Sequence, residues 1–283
     1  ELLSEGICEP ETYSRLETGK RKPKKNKYYA LMDRLEIGWA YFRGELYTND
    51  VEMYKMKCMH RVATLDQRCA DSLDILCEME RGLDMTHPIN IQYIKANQIR
   101  MKYRLQELST EETYCMLSEL LKLTKKLDLR IKELVYYTQT EMEIVTYMAQ
   151  MLREMGRRQE GIRLIENMLE QANRSKISTT KQGKGAWFAM DVLSCLYFSI
   201  AEYEKATEIE KIVFGLCMNL RDAANIPAIL DAIADDLEHM GTQYSNEYQL
   251  LYRQAYYVAE FYHNMNIANL MKKYYEESFG RIE

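Results

Sequence analysis

Two stretches of this chain lie over each other without a gap. VTYMAQMLREMGRRQEGIRLIENML, from Val145, aligns with MDVLSCLYFSIAEYEKATEIEKIVF, from Met190, at an offset of 45 residues. Large apolar residues coincide, Val145 with Met190, Met148 with Leu193 and Leu152 with Tyr197, and so do small ones, Ala149 with Ser194 and Gly161 with Ala206. LDAIADDLEHMG, from Leu230, repeats the first helix a further 40 residues on. The apolar spacing is helical, and the small residues fall where paired helices must approach closely. One such unit cannot bury its apolar face alone, so neighbouring units have to stack. The repetition therefore restricts the chain to stacked helical hairpins, with a plain helical bundle as the alternative.

The remainder of the sequence agrees with an all-α fold. Only four prolines and 12 glycines punctuate 283 residues, and Leu, Met, Glu, Lys and Arg are abundant while strand-type alternation is scarce. At 47% hydrophobic content the chain can bury a sizeable core. Ser109 with Glu112 reads as a capping box, Gly156 and Gly241 as helix ends, and Pro227 as a helix start. The polar stretch ANRSKISTTKQGKGA, residues 172–186, reads as the least structured connector; its GKG lacks the other elements of a phosphate loop. Before residue 130 no clean copy of the repeat is visible, and helix pairs are expected there without an assigned class.

The sequence argues against several function classes. The seven cysteines form no CxxC pair, which argues against a disulfide framework or a zinc finger and fits a reducing cytoplasm. No run approaches eighteen consecutive apolar residues, and there is no signal-peptide pattern, so membrane insertion and export are not expected. His60, His87, His239 and His263 stand apart from one another and from any catalytic signature, so neither catalysis, a metal nor a cofactor is expected. The 22 tyrosines and 18 methionines suit core packing and a subunit surface more readily than a ligand groove.

Charge is divided unevenly. Residues 1–35 hold eight Lys/Arg against six Asp/Glu, whereas the rest of this chain, whose net charge is −5, is acidic. Residues 18–32 carry six basic and no acidic side chains. Such a basic corner on an acidic body can face a polyanion locally; a solvated loop is the alternative. Upstream of it, Leu2 and Leu3 read as a helix end, Gly6 as a tight turn and Ile7 as its plug. A second helix then runs from about Pro10 to Thr18, with Glu9 and Glu11 near its positive end and Tyr13 and Leu16 facing inward. Gly19 stops it, and a third helix follows from about Lys25 to Leu35, after Pro23.

LSEGICEPETYSRLETGKRKP followed by ALMDRL resembles the helix-turn-helix of the Cro/repressor-type (XRE) transcription regulators. Ser14, Arg15, Leu16, Glu17, Gly19, Lys20 and Pro23 match the ending of that family's recognition helix. The resemblance implies that the helix beginning at Pro10 lies in a major groove, with Glu11 and Arg15 reading base edges and Thr12, Ser14, Lys20, Arg21 and Lys22 on phosphate. The family's domain begins with a full helix and most of a second, about twenty-five residues that have no counterpart here. Since the chain also opens on Glu1 rather than Met, residues 1–37 are expected to be part of a larger DNA-binding domain, ahead of a helical-repeat domain over residues 38–283.

The repeats, with YEKA at 203–206 as the most typical fragment, resemble tetratricopeptide repeats, which stack into a right-handed superhelix with a concave face. A Cro/repressor-type head joined to such an array is similar in layout to the RRNPP family, the peptide-sensing regulators of the Rgg, PlcR and PrgX group. That resemblance implies a cytoplasmic homodimer that binds promoter DNA under the control of a short signalling peptide involved in quorum sensing. A helical-repeat interaction scaffold with a vestigial helix-turn-helix is the alternative. Independently, if Val145, Met190 and Leu230 mark packed sides, residues one and five positions later point into the groove. These are Thr146, Gln150, Asp191, Cys195, Asp231 and Asp235, with Arg153 and Glu238 near the rim. Their carboxylates suggest a peptide carrying an amine or a basic side chain, and solvated polar faces are the alternative.

Overall fold

The computed structural model describes residues 8–18, 20–21, 46–48, 50–124, 137–174, 179–220, 225–241, 245–261 and 265–280. The chain divides into two compact units, Glu1–Leu46 and Tyr47–Glu283. In the first, helix α1 spans Pro10–Glu17. Pro10 suits the first turn because its missing N–H would have had no partner there, and Thr18 closes the helix by donating its hydroxyl to the Ser14 carbonyl at 2.8 Å. Tyr13 and Leu16 are half-buried, whereas Glu11, Ser14 and Arg15 are exposed, as the periodicity predicts. The turn at Gly6, the third helix, Lys22 and the expected boundary at residue 37 lie outside the described residues.

The second unit contains α2 (Val51–Leu65), α3 (Cys69–Gly82), α4 (Pro88–Arg104), α5 (Thr110–Lys122), α6 (Gln139–Glu154), α7 (Arg158–Arg174), α8 (Thr179–Phe198), α9 (Tyr203–Leu220), α10 (Ile226–Met240), α11 (Ser245–Phe261) and α12 (Met265–Phe279). Each packs on the next, and α4 also meets α6, α6 meets α8 and α10 meets α12. That is the contact pattern of stacked, tetratricopeptide-like helix pairs. The described residues contain helices only.

Local sequence explains most of the boundaries. Ser109 and Glu112 form the expected capping box at α5, and Thr138 with Glu141 forms a second at α6. Pro227 opens α10, and Gly241 ends it at φ +117°. A shared turn joins four of the hairpins. Gln67, Gln106, Gly156 and Ala201 adopt φ of 59°, 62°, 76° and 62°. The following N–H of Arg68, Glu107, Arg157 and Glu202 donates to the carbonyl five residues back, at 2.8–3.0 Å. This is the Schellman closure, repeated through the array. It extends the hairpin pattern to the region before residue 130, where the apolar residues show no clean copy.

Two apolar cores fill the second unit. One is built from α4 to α8 around Leu117, Leu121, Ile144, Ile165, Met168 and Leu196, and the other from α9 to α12 around Val213, Ile229, Ile233, Tyr252 and Met271. Ile209 on α9 packs against both. The small residues of the repeat act as expected: a Cβ on Gly161 would stand 3.1 Å from the Ala149 carbonyl oxygen and 3.1 Å from a Leu196 methyl. One expectation is corrected. Residues 179–186 are not connector but the first two turns of α8, because Ala186 and Ala189, at 1% and 0% exposure, carry that helix into the core.

Candidate functional site

The three aligned first helices, α6, α8 and α10, converge on a cavity of about 470 Å³. Arg153 and Glu154 enter it from the end of α6 and Arg158 from the start of α7. Helix α8 contributes Ser194, Cys195 and Phe198, and Ser199 follows just beyond its end; Glu210 comes from α9, and Ala232, Asp235 and Asp236 come from α10. At one edge Phe198, Tyr203 and His239 form an aromatic cluster with ring centroids 4.9–5.3 Å apart. His239 also hydrogen-bonds the Asp235 carbonyl through Nδ1 at 2.8 Å.

Buried carboxyl groups dominate the electrostatics. Glu210 is 1% exposed, and burial pushes its carboxyl up to about 8, against the opposing hydrogen bond from Ser194 and with reinforcement from Asp191 and Asp236. Ser194 Oγ donates to Glu210 Oε1, whereas Glu210 Oε2 has no hydrogen-bond partner. Asp236 is 2% exposed and rises to about 6 through burial, although Thr207 donates to it at 3.0 Å. Burial likewise raises Asp191 to about 6, opposed by the Arg153 guanidinium, and Asp231 to about 6, reinforced by Asp235. The Cys195 thiol is pushed up to about 11 by burial, then by Asp191. The protonated thiol is thereby favoured at neutral pH.

Four of the predicted groove residues thus fall in or beside one site. Arg153, Cys195 and Asp235 line the cavity, and Asp191 stands one turn from Cys195 and interacts with Arg153. Asp231 is half-buried one turn before Asp235, while Gln150 is half-buried and does not line the cavity. Thr146 requires correction: it is fully buried and donates its hydroxyl to the Met142 carbonyl at 2.8 Å. The reason is that α6 is flanked by α4 as well as α8, so packing covers the face that its counterpart position leaves half-open in α8.

Glu210 and Asp236 were not among the predicted residues, yet the repeat contains a signal for them. Glu210 aligns with Ile165 and Asp236 with Leu196, both 0% exposed core residues. A carboxylate standing at a core position of a repeat is costly unless something compensates it. Ser194, read as a small packing residue, is one and also the hydrogen-bond donor to Glu210.

On α1, Arg15 and Glu11 form an exposed ion pair at 2.6 Å. An exposed pair of this kind is worth about 0–1 kcal/mol, so either side chain can be released to another partner at little cost. Lys20 and Arg21 are exposed beyond the helix end. Together they present a short cationic edge.

No family model and no curated protein matches the sequence. Solved structures do match the fold. Bacillus thuringiensis PlcR in complex with the peptide PapR7 and DNA aligns with a TM-score of 0.71 at 17% identity, over 95% of this chain and 91% of that one. The chain has the fold of PlcR. The apo form of PlcR gives a TM-score of 0.64 at 15% identity, over 92% of this chain and 90% of that one. The apo form of the competence regulator ComR from Streptococcus vestibularis gives 0.58 at 15% identity, over 99% and 92%. The RRNPP resemblance read from the sequence is met at the level of the fold. Among the described residues no helix is long and apolar enough to cross a membrane.

Proposed function

We propose that this protein is a DNA-binding transcription regulator whose hold on promoter DNA is controlled by a short signalling peptide bound in its helical-repeat unit. The observation that carries the reading is the extent of the shared fold: 95% of the chain follows PlcR, which was solved with a peptide and DNA together. The exposed Arg15, Glu11, Lys20 and Arg21 supply the DNA-facing chemistry, and the cavity between α6, α8 and α10 supplies a concave, partly polar ligand site. A peptide touching three repeats at once can bias their relative placement, provided that it binds the two arrangements with different affinity. The protein acts as a cytoplasmic homodimer on this reading, with each protomer offering one helix to a half-site.

The test is binding of the protein to a promoter-length duplex across a salt series, with and without peptides secreted by the same cells. Salt-dependent binding above a scrambled duplex, altered by one of the peptides, is the expected outcome. Equal affinity for both duplexes under every condition would remove the regulator reading and leave an interaction scaffold.

A further inference from the structure

Glu210 is unusual for a buried carboxylate. It sits where the preceding repeat has Ile165, it is 1% exposed, and only one of its oxygens is answered within the protein. The unanswered oxygen, Oε2, is itself buried, but its residue lines an open cavity, so a ligand there reaches it once the side chain turns towards the cavity. Leaving a buried carboxyl oxygen without a partner costs free energy in either protonation state, and that cost is recovered when a ligand supplies one. The surroundings select the kind of donor. Asp191 on α8 and Asp235 and Asp236 on α10 add acidic groups; Arg153, which interacts with Asp191, and Arg158 on α7 are the cavity's cationic side chains. The carboxylates do not gather into a metal-chelating set, and none occurs among the described residues. A compact, hydrogen-bond-donating cation fits better than an anion or a bare ion.

We propose that the cavity is an ammonium-binding subsite in which Glu210 Oε2 accepts from the protonated amine of a peptide ligand, a lysine side chain or a free N-terminus, while the apolar wall at Phe198 covers the adjoining methylenes. The proposal deepens the peptide-binding reading and rests on it for the nature of the natural ligand, but the chemistry belongs to the cavity itself. Because burial holds the Glu210 carboxyl up to about 8, most of it is protonated at pH 6. A bound ammonium favours the carboxylate, so binding expels a proton and strengthens as pH rises from 6 to 8. The titratable groups near Glu210 on the helices packed on α9 are Asp191 and Cys195 on α8 and Asp235 and Asp236 on α10, with His239 beside Asp236. Ionisation of Asp191 and Asp236 acts in the same direction.

The probes are n-butylammonium for the lysine side chain, alaninamide for a peptide N-terminus, and 1-pentanol as a neutral alcohol one methylene longer than the first, each titrated against the full chain by ligand-observed NMR. Expected is binding of at least one amine that strengthens by about tenfold between pH 6 and 8 and is weakened by about tenfold or more in Glu210→Gln, with 1-pentanol unchanged in both comparisons. Whichever amine binds more tightly identifies the source. Glutamine keeps the acceptor for Ser194 while replacing Oε2 by an uncharged N–H donor; the wild-type pH series stands as the readout if that variant is unstable. Equal binding of 1-pentanol and both amines, or amine affinity indifferent to pH, would overturn the subsite. The result is separable from the regulator reading: failure to bind DNA leaves amine binding intact, and failure to bind amines leaves control by a neutral peptide open to the DNA assay.

Discussion

At the scale of single residues, the buried carboxyls have a consequence for stability that is independent of any ligand. Glu210 ionises near 4.5 when unfolded and near 8 when folded, and Asp191, Asp231 and Asp236 move from 3.8 to about 6. Between those limits the native state binds more protons than the unfolded state, so stability falls as pH rises through the window. Glu80, Asp84, Glu112 and Glu160 are held low, by hydrogen bonds from Lys95, Thr86, Ser109 and Arg157 first, and act oppositely as pH drops below about 4.5. Melting temperature is therefore expected to peak in mildly acid solution and to decline from pH 5.5 to 8. Glu210→Gln should flatten that decline, and a variant whose melting curve parallels wild type over the whole range would show that Glu210 titrates normally. On α1, Arg15→Ala should weaken specific DNA binding by about 1–3 kcal/mol, whereas Lys20→Ala should weaken all sequences alike and reduce the salt slope by about 1. Equal loss by Arg15→Ala at matched and mismatched sites would deny it a base-reading role.

Among the secondary-structure elements, the four Schellman turns show what the sequence revealed and what it concealed. Gly156 marks its helix end openly, because glycine is the residue expected at positive φ. Gln67, Gln106 and Ala201 occupy the same conformation without that mark, so the hairpins they close carry no glycine signal of their own. Periodicity exposed α6, α8 and α10 because their apolar faces repeat, and it failed at Thr146 because burial there depends on a flanking helix that no local pattern encodes. The cavity was half legible for a related reason. Arg153, Cys195 and Asp235 follow from helix geometry, while Glu210 becomes visible only when its charge is set against the core position that Ile165 fills. The strained turns are testable. Ala201→Gly removes the Cβ clash of a left-handed residue and should stabilise the protein by up to about 1 kcal/mol, with Gly156→Ala costing a similar amount. Denaturant midpoints measure both, and a shift of the wrong sign in either would indicate that the turn has relaxed out of the positive-φ region.

For the helical-repeat unit as a whole, the position of the cavity matters more than its contents. It draws Arg153 from α6, which belongs to the first apolar core, and Asp235 and Asp236 from α10, which belongs to the second. The seam between those cores runs along α8 and α9, where Ile209 packs against both. A ligand spanning α6 and α10 therefore bridges two blocks of packing, and its binding energy can reach the placement of one block against the other. Coupling of this type requires that the seam be the softest part of the unit. Truncating the side chain that spans it should then separate the blocks: Ile209→Ala, at a cost of about 2 kcal/mol for a half-buried isoleucine, is expected to split a single calorimetric unfolding transition into two. Val213→Ala, one turn on and within the second core alone, is the matched control and should lower the melting temperature of one joint transition. If both variants simply melt earlier as one unit, the two cores are a single cooperative block, and a ligand at their junction would have no internal motion to control.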